Sequence, residues 1–112
     1  MSRVTTHVLD ISMGKPANGI DIKLYVFNNA SWVEIAEGTT DNDGRIKDLL
    51  AADIKLENGI YKLNFYTGKY FEEKNLKKFY PFVEIIFEID TEEHYHIPLL
   101  LSPFGYSTYR GT

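Results

Sequence analysis

Apolar and polar side chains alternate with a period of two along most of the chain. In residues 20–27, four aliphatic side chains share one face: Ile20, Ile22, Leu24 and Val26. Residues 61–67 and 82–89 alternate in the same way. Weaker alternation covers four further segments: residues 4–11, 32–37, 45–48 and 95–101. This period is typical of strands with one buried face, so the pattern predicts seven or eight short strands.

Turn-forming residues separate the predicted strands. Residues 28–31 read Asn-Asn-Ala-Ser, residues 41–44 read Asp-Asn-Asp-Gly, and residues 14–19 contain two glycines and a proline. Glycine and asparagine tolerate the positive φ angles that tight turns require. Many short strands joined by such turns favour an all-β fold, a sandwich of two sheets.

One segment interrupts the alternation between Gly68 and Pro81. Two glutamates, Glu72 and Glu73, precede two lysines, Lys77 and Lys78, and this order suits the helix dipole. The segment therefore predicts one short helix over about residues 69–78.

A proline stands inside the last predicted strand. Pro98 has no backbone N–H, so it cannot donate a hydrogen bond to a neighbouring strand. Its position predicts that residues 95–101 form an edge strand or contain a β-bulge at this point.

Composition narrows the class of protein. The chain has 112 residues, which suits a single domain over residues 1–112, and it has no cysteine, which excludes a disulfide framework and a cysteine nucleophile. The formal net charge of −4 argues against nucleic acid or an anionic membrane as the main partner. No apolar run is long enough to span a membrane, and the first residues show no signal peptide. We therefore expect a cytoplasmic protein, or a periplasmic one if a signal was removed.

Three histidines are the first candidates for chemistry, because histidine titrates near neutral pH. His94 and His96 are two apart and share a strand face, opposite to the apolar face of the same segment. The simplest interpretation is a pair of solvated histidines. The spacing is also compatible with a zinc or copper site that takes a third ligand from His7 or a carboxylate. Such short spacings recur by chance, so we expect no metal.

Two further features are candidates for ligand binding. Arg45 follows the predicted turn at residues 41–44 and is either an exposed strand residue or a planar donor aimed at a carbonyl or an anion. The C-terminal residues 105–112 keep strand-like side chains to the last position, whereas most chain ends fray. This tail is either a last edge strand or part of an interface between subunits.

Several segments together resemble the transthyretin-like proteins. The segments are Thr-His-Val-Leu-Asp at 6–10, Gly-Lys-Pro-Ala at 14–17 and Thr-Asp-Asn-Asp-Gly-Arg at 40–45. The run His-Tyr-His-Ile-Pro-Leu-Leu-Leu-Ser-Pro at 94–103 and the ending Gly-Tyr-Ser-Thr-Tyr-Arg-Gly-Thr at 105–112 resemble the 5-hydroxyisourate hydrolase branch in particular. The resemblance extends over essentially the whole chain.

The resemblance implies a sandwich of two four-stranded sheets with one short helix. It also implies a homotetramer, a dimer of dimers, whose central channel holds the active sites between subunits. The implied reaction is the hydrolysis of 5-hydroxyisourate to 2-oxo-4-hydroxy-4-carboxy-5-ureidoimidazoline in urate degradation, without a cofactor.

The family's site residues correspond to five positions of this chain. His7, Arg45, His96 and Thr112 are the implied catalytic residues, and Tyr109 joins His7 and Arg45 in binding the substrate. The family usually ends in serine, so Thr112 keeps the hydroxyl but adds a methyl group and a stiffer side chain. A neutral imidazole can take a proton from water, and a guanidinium can bind carbonyl groups and developing negative charge.

Two other classes of protein remain possible from the sequence. A transthyretin-type carrier would hold a small hydrophobic ligand in the same channel, and the fold alone does not separate a carrier from an enzyme. Polar residues at the implied channel positions favour the enzyme. A metal-binding module has only the two-residue histidine spacing in its favour.

Overall fold

The alternating segments build two four-stranded sheets around one core. The computed structural model describes residues 2–112, so Met1 lies outside the described range. The elements are β1 (Val4–Asp10), β2 (Lys15–Pro16), β3 (Asp21–Asn28), β4 (Ser31–Thr39), β5 (Gly59–Phe65), α1 (Thr67–Glu73), β6 (Val83–Ile89), β7 (Tyr95–Ser102) and β8 (Gly105–Thr108). The first sheet has the strand order β2-β1-β7-β8, and the second has the order β4-β3-β5-β6. The expected sandwich with one short helix is confirmed.

The core lies between the two sheets and is filled by every second side chain. Val8 of β1 and Leu99 of β7 enter it from the first sheet, and Leu24 of β3 and Leu63 of β5 enter it from the second. All four are fully buried. Because the side-chain period of a strand is two, the intervening residues of each strand lie on the outer face of its sheet. The outer face of the first sheet carries the candidate histidines.

The helix is present but starts and ends earlier than the sequence predicts. It begins at Thr67, and Gly68 in its first turn approaches Pro81 so closely that a Cβ atom there would lie 2.3 Å from the Pro81 carbonyl oxygen. It ends at Glu73 because Asn75 adopts a left-handed φ of 58°. The N–H of Leu76 then bonds the carbonyl of Phe71, which closes the last turn. Among residues 2–112, no helix is long and apolar enough to cross a membrane.

The prediction that Pro98 marks an edge strand or a bulge is wrong. β7 is an inner strand of the first sheet, and its parallel register with β1 runs without a shift from Val4 and Tyr95 to Asp10 and Leu101. Pro98 immediately precedes Leu99, the first residue of β7 that pairs with β8. The position where its N–H would be lies on the side of β8, so no bond between β7 and β1 is lost. The hydroxyl of Thr108 donates to the Pro98 carbonyl. The proline therefore marks the end of the ladder between β7 and β8.

The weak strand predicted at residues 45–48 does not form. Only one backbone bridge is present there, between Arg45 and His7 of β1. Asp48 adopts a positive φ of 55°, which is incompatible with continued strand pairing. The segment is a loop joined to the first sheet by a single backbone bridge.

Candidate active site

The outer face of the first sheet places three polar side chains together. β1 and β7 are parallel neighbours, and their register sets Thr5 beside His96 and His7 beside Pro98. Thr5, His7 and His96 are each partly exposed, whereas the residues between them are buried. His7 and His96, two of the three histidines that the sequence singled out, therefore share one face of two adjacent strands.

A tight turn delivers Arg45 to this face. The Asp41 carboxylate accepts hydrogen bonds from the backbone N–H groups of Asp43 and Arg45, which hold its pKa below the ordinary value. Gly44 has a φ of 75°, and a Cβ atom there would lie 2.3 Å from the Val8 carbonyl oxygen. Only glycine fits this approach. The turn thus fixes Arg45 against His7 of β1 by a backbone bridge.

The C-terminal tail is tied down beside His96. The N–H of Gly111 donates to the His96 carbonyl at 2.8 Å. A Cβ atom on Gly111 would lie 2.6 Å from the His96 ring, so a larger residue there would displace the ring or the tail. Arg110 points away, with its guanidinium 3.4 Å from the Glu93 carboxylate and 4.3 Å from the Tyr95 ring centroid.

Strands β1 and β7, the Arg45 loop and the C-terminal tail line an open pocket of about 540 Å³. Of the five predicted site residues, four line it: Arg45, His96, Tyr109 and Thr112. His7 does not line it but lies near enough for its charge to affect His96. The other lining residues are Thr5, Thr6, Ile46, His94 and Gly111.

Burial and neighbouring positive charge keep both site histidines neutral. Burial lowers the pKa of His96, and Arg45, His94 and His7 lower it further through charge repulsion. Burial also lowers the pKa of His7, again assisted by Arg45. An imidazole with a lowered pKa is unprotonated at neutral pH and is available as a proton acceptor.

One hydroxyl group joins the two histidines that are two residues apart. Thr5 Oγ1 lies 2.9 Å from His94 Nε2 and 2.8 Å from His96 Nδ1. The His94 and His96 rings lie side by side, 6.3 Å between centroids and 21° from parallel. Sequence reasoning missed Thr5, although its position two residues before His7 places it on the same strand face.

A metal site of three ligands is not formed in the described part of the chain. No group of three His, Cys, Asp or Glu side chains among residues 2–112 is arranged to hold a metal ion. Carboxylates instead cluster around a larger groove of about 780 Å³ beside α1, on the other sheet. There the lysines are paired with acids, as in Lys69 with Asp21 and Lys78 with Glu72.

The pocket on the first sheet combines a base with a polarising group. The His96 imidazole, the Arg45 guanidinium and the hydroxyl groups of Tyr109 and Thr112 surround an open space. This set suits the attack of water on a carbonyl carbon, since it offers a proton acceptor and a stabiliser of the oxyanion. Its polarity is poorly suited to a purely apolar ligand.

Comparison with known proteins agrees with this geometry. The HIUase/Transthyretin family model matches residues 4–111. A probable 5-hydroxyisourate hydrolase of Caenorhabditis elegans is 46% identical over 110 residues, covering 97% of this chain and 81% of the relative.

Two solved structures show the same architecture. The 5-hydroxyisourate hydrolase of Klebsiella pneumoniae superposes with a TM-score of 0.83 at 33% identity, covering 97% of this chain and 98% of that chain. Sea bream transthyretin, solved in complex with thyroxine, superposes with a TM-score of 0.92 at 30% identity, covering 99% and 96%. The chain therefore belongs to the HIUase/Transthyretin family.

Proposed function

We propose that the protein hydrolyses 5-hydroxyisourate to 2-oxo-4-hydroxy-4-carboxy-5-ureidoimidazoline, a step of urate degradation. The observation that carries the proposal is the His96 imidazole, whose pKa is lowered, in an open pocket with an Arg45 guanidinium that forms no ion pair within residues 2–112. The curated relatives named as hydrolases support the same reaction. We infer that His7, Arg45, His96 and Thr112 are catalytic and that His7, Arg45 and Tyr109 bind the substrate.

His96 acts as the general base in this proposal. The oxygen of a water molecule bonds to the lactam carbonyl carbon, and one proton of that water passes to Nε2 of His96. The carbonyl electron pair moves to oxygen, and Arg45 stabilises the resulting oxyanion with its planar donors. When the oxyanion collapses, the C–N bond breaks and the leaving nitrogen takes the proton from His96. The products are a carboxylic acid and a neutral imidazole.

The remaining site residues orient the substrate in this scheme. His7 stays neutral beside Arg45, so it can exchange hydrogen bonds with a carbonyl or an N–H of the ring. Tyr109 and Thr112 bring hydroxyl groups to the pocket wall. No step requires a cofactor, because the substrate's own carbonyl is the electrophile.

A transthyretin-type carrier is the alternative function. The higher TM-score of sea bream transthyretin, whose structure contains thyroxine, keeps this alternative open, since the backbone fold serves both functions. Side chains favour hydrolysis: a carrier of apolar ligands needs an apolar wall, whereas this pocket presents Arg45, His96 and hydroxyl groups.

We infer that the working form is a homotetramer, a dimer of dimers, in which each subunit is one domain over residues 1–112. The pocket is open to one side, and the sheets end in the edge strands β6 and β8. Exposed edges pair readily with another chain, and Ile86 on β6 and Tyr106 on β8 are exposed. Light scattering after size exclusion should give the mass of four chains.

The test of hydrolysis is the decay of the unstable substrate. Urate and urate oxidase generate 5-hydroxyisourate, and its absorbance is followed with and without the protein at micromolar concentration. We expect a decay much faster than the spontaneous one, and an acceleration smaller by about 10²–10⁴-fold with the His96→Asn variant at the same concentration. Equal decay with and without the wild-type protein would contradict the proposed reaction.

A further inference from the structure

Among residues 2–112, Thr5 is the one side chain that bonds a ring nitrogen of His96 directly. Its hydroxyl lies 2.8 Å from Nδ1 of that ring, and the parallel register of β1 and β7 places the two residues opposite each other. Nε2, the other ring nitrogen, has no hydrogen-bond partner among residues 2–112. The nitrogen that faces Thr5 is therefore fixed, and the second one is free to meet a water molecule.

A neutral imidazole carries one proton, on either Nδ1 or Nε2. Only the nitrogen without the proton can accept one from water. His96 can serve as a base at Nε2 only if its proton is on Nδ1. The proposed reaction therefore requires one of the two tautomers, and something in the protein has to select it.

The hydroxyl of Thr5 couples the tautomers of two histidine rings, because it has a single hydrogen. Thr5 Oγ1 also lies 2.9 Å from Nε2 of His94, so one hydroxyl is shared by two rings. In one direction, Nδ1–H of His96 donates to Thr5, and Thr5 donates to His94. In the other direction, His94 donates to Thr5, and Thr5 donates to Nδ1 of His96. Only the first direction leaves Nε2 of His96 without a proton.

We propose that Thr5 is a positioning residue, which passes its hydroxyl hydrogen to His94 and thereby holds His96 with the proton on Nδ1 and the lone pair on Nε2. His94 is the last acceptor in this series of hydrogen bonds, and its side chain lies at the exposed rim of the pocket. This role rests on the proposed function, in which His96 is the base.

The tautomer can be read without any substrate. A ring nitrogen that bears a proton and one that bears a lone pair differ widely in ¹⁵N chemical shift. The chain has three histidines, so labelling the histidine rings of the intact protein gives three ring systems, and the His96→Asn variant assigns one of them. At a pH above 7, we expect His96 to show the proton on Nδ1. A proton on Nε2 in the wild-type protein would overturn the proposal, whatever the activity.

Two substitutions at position 5 test the role of the hydroxyl. Thr5→Val keeps the shape and the β-branch but removes the oxygen, and we expect a mixture of His96 tautomers and a decrease in kcat on the order of tenfold, with little change in KM. Thr5→Ser keeps the oxygen and should restore both the tautomer and kcat. Thr39→Val removes a strand hydroxyl bonded to Asp21 on the other sheet, and it should change neither.

The outcomes separate this proposal from the proposed function. A lower kcat in Thr5→Val without a change of tautomer, or a change in neither, would overturn the positioning role. If Thr5→Val does not fold, the wild-type tautomer and the Thr5→Ser variant still decide. If the wild-type protein fails to hydrolyse 5-hydroxyisourate, the proposed function falls, while the ¹⁵N spectrum still reports whether Thr5 selects the tautomer.

Discussion

The outer faces of the two sheets both carry basic side chains, but in opposite surroundings. On the second sheet, Lys62 of β5 is buried, and its ammonium lies 3.2 Å from the Glu84 carboxylate and 4.5 Å from the Trp32 ring centroid. On the first sheet, Arg45 adjoins His7 and His96. Within residues 2–112, none of these three side chains forms an ion pair.

The two basic side chains differ in whether the chain itself supplies the groups that offset their positive charge. Lys62 loses hydration on burial, and a carboxylate and aromatic rings of the same chain offset that loss. Arg45 forms no ion pair within residues 2–112, and its charge adds to burial, the larger cause, in lowering the pKa of the neighbouring imidazoles. A ligand with oxygen atoms would supply the partner that the Arg45 cluster lacks, whereas the Lys62 cluster already has its partners within the chain. We therefore regard the Lys62 cluster as structural and the Arg45 cluster as functional.

The largest effect expected from this comparison is the loss of the His96 base. His96→Asn should lower kcat by about 10²–10⁴-fold, the usual range for a general base. The side chain lies on the outer face, so its removal leaves no core cavity and the urea midpoint should change little. Steady-state kinetics and urea unfolding measure the two quantities. A large loss of stability would show that His96 is structural and would remove the contrast between the sheets.

Arg45 should be the next most sensitive position. Arg45→Ala and Arg45→Lys should both lower kcat/KM by about 10²–10³-fold, because a point charge does not replace a planar set of donors at an oxyanion. The measurement is kcat/KM of the two variants under the same conditions. Wild-type activity in Arg45→Lys would show that charge alone is required.

Much of the fold was predictable because it depends on local patterns. The strands at residues 20–27 and 82–89 appear as β3 and β6 with small shifts at their ends. The early end of the helix coincides with the left-handed Asn75, a local feature that the charge pattern did not take into account. The close approach of Gly68 to Pro81 joins residues distant in sequence, so no local pattern carried information on it.

The site was harder to predict than the fold. The residues alone marked the histidines, Arg45 and the tail as candidates, and the two-residue spacing placed His94 and His96 on one face. The resemblance supplied the catalytic and binding roles. Thr5 required the parallel register of β1 and β7, which no single-strand pattern specifies. Pro98 misled for the same reason, since its missing donor matters only on the side that faces β8.

The next effect concerns the close contact between the tail and His96. Gly111→Ala places a methyl group where 2.6 Å separates the Cβ position from the His96 ring. Since a small misplacement of a catalytic group is costly, we expect kcat to decrease by up to about 100-fold with little loss of stability. Gly105→Ala is the matched control, because a Cβ atom there meets only the Ser102 hydroxyl at 3.8 Å. Equal activity of both variants would show that the tail tolerates displacement.

The pH dependence should follow the lowered pKa of His96. Because the base must be neutral, the rate should be flat above pH 6.5 and should decrease below that value, by about tenfold per unit once the ring protonates. Arg45, His94 and His7 face the ring and oppose its protonation. In an NMR titration, Arg45→Ala should therefore raise the pKa of His96. A pKa that falls or stays constant in this variant would contradict the proposed repulsion.

The smallest effect should come from the second sheet and should concern stability alone. Glu84→Gln removes the carboxylate that faces Lys62, whose side chain is 11% exposed. The Glu84 side chain is itself 40% exposed, so solvent weakens the pair, and we expect a loss of about 1 kcal/mol in the free energy of unfolding. Glu88→Gln is the matched control, since Glu88 lies on the same face of β6, is exposed and forms no ion pair within residues 2–112.

Both variants should hydrolyse 5-hydroxyisourate at the wild-type rate, because they lie on the sheet that does not form the pocket. Urea unfolding at a fixed protein concentration separates the two, since subunit association also contributes to stability. Glu84→Gln should show the lower midpoint because it leaves a buried ammonium without its acid, whereas Glu88→Gln changes only an exposed charge. If Glu84→Gln instead lowered kcat at unchanged stability, the Lys62 cluster would take part in function, and the distinction between a completed and an incomplete basic cluster would fail.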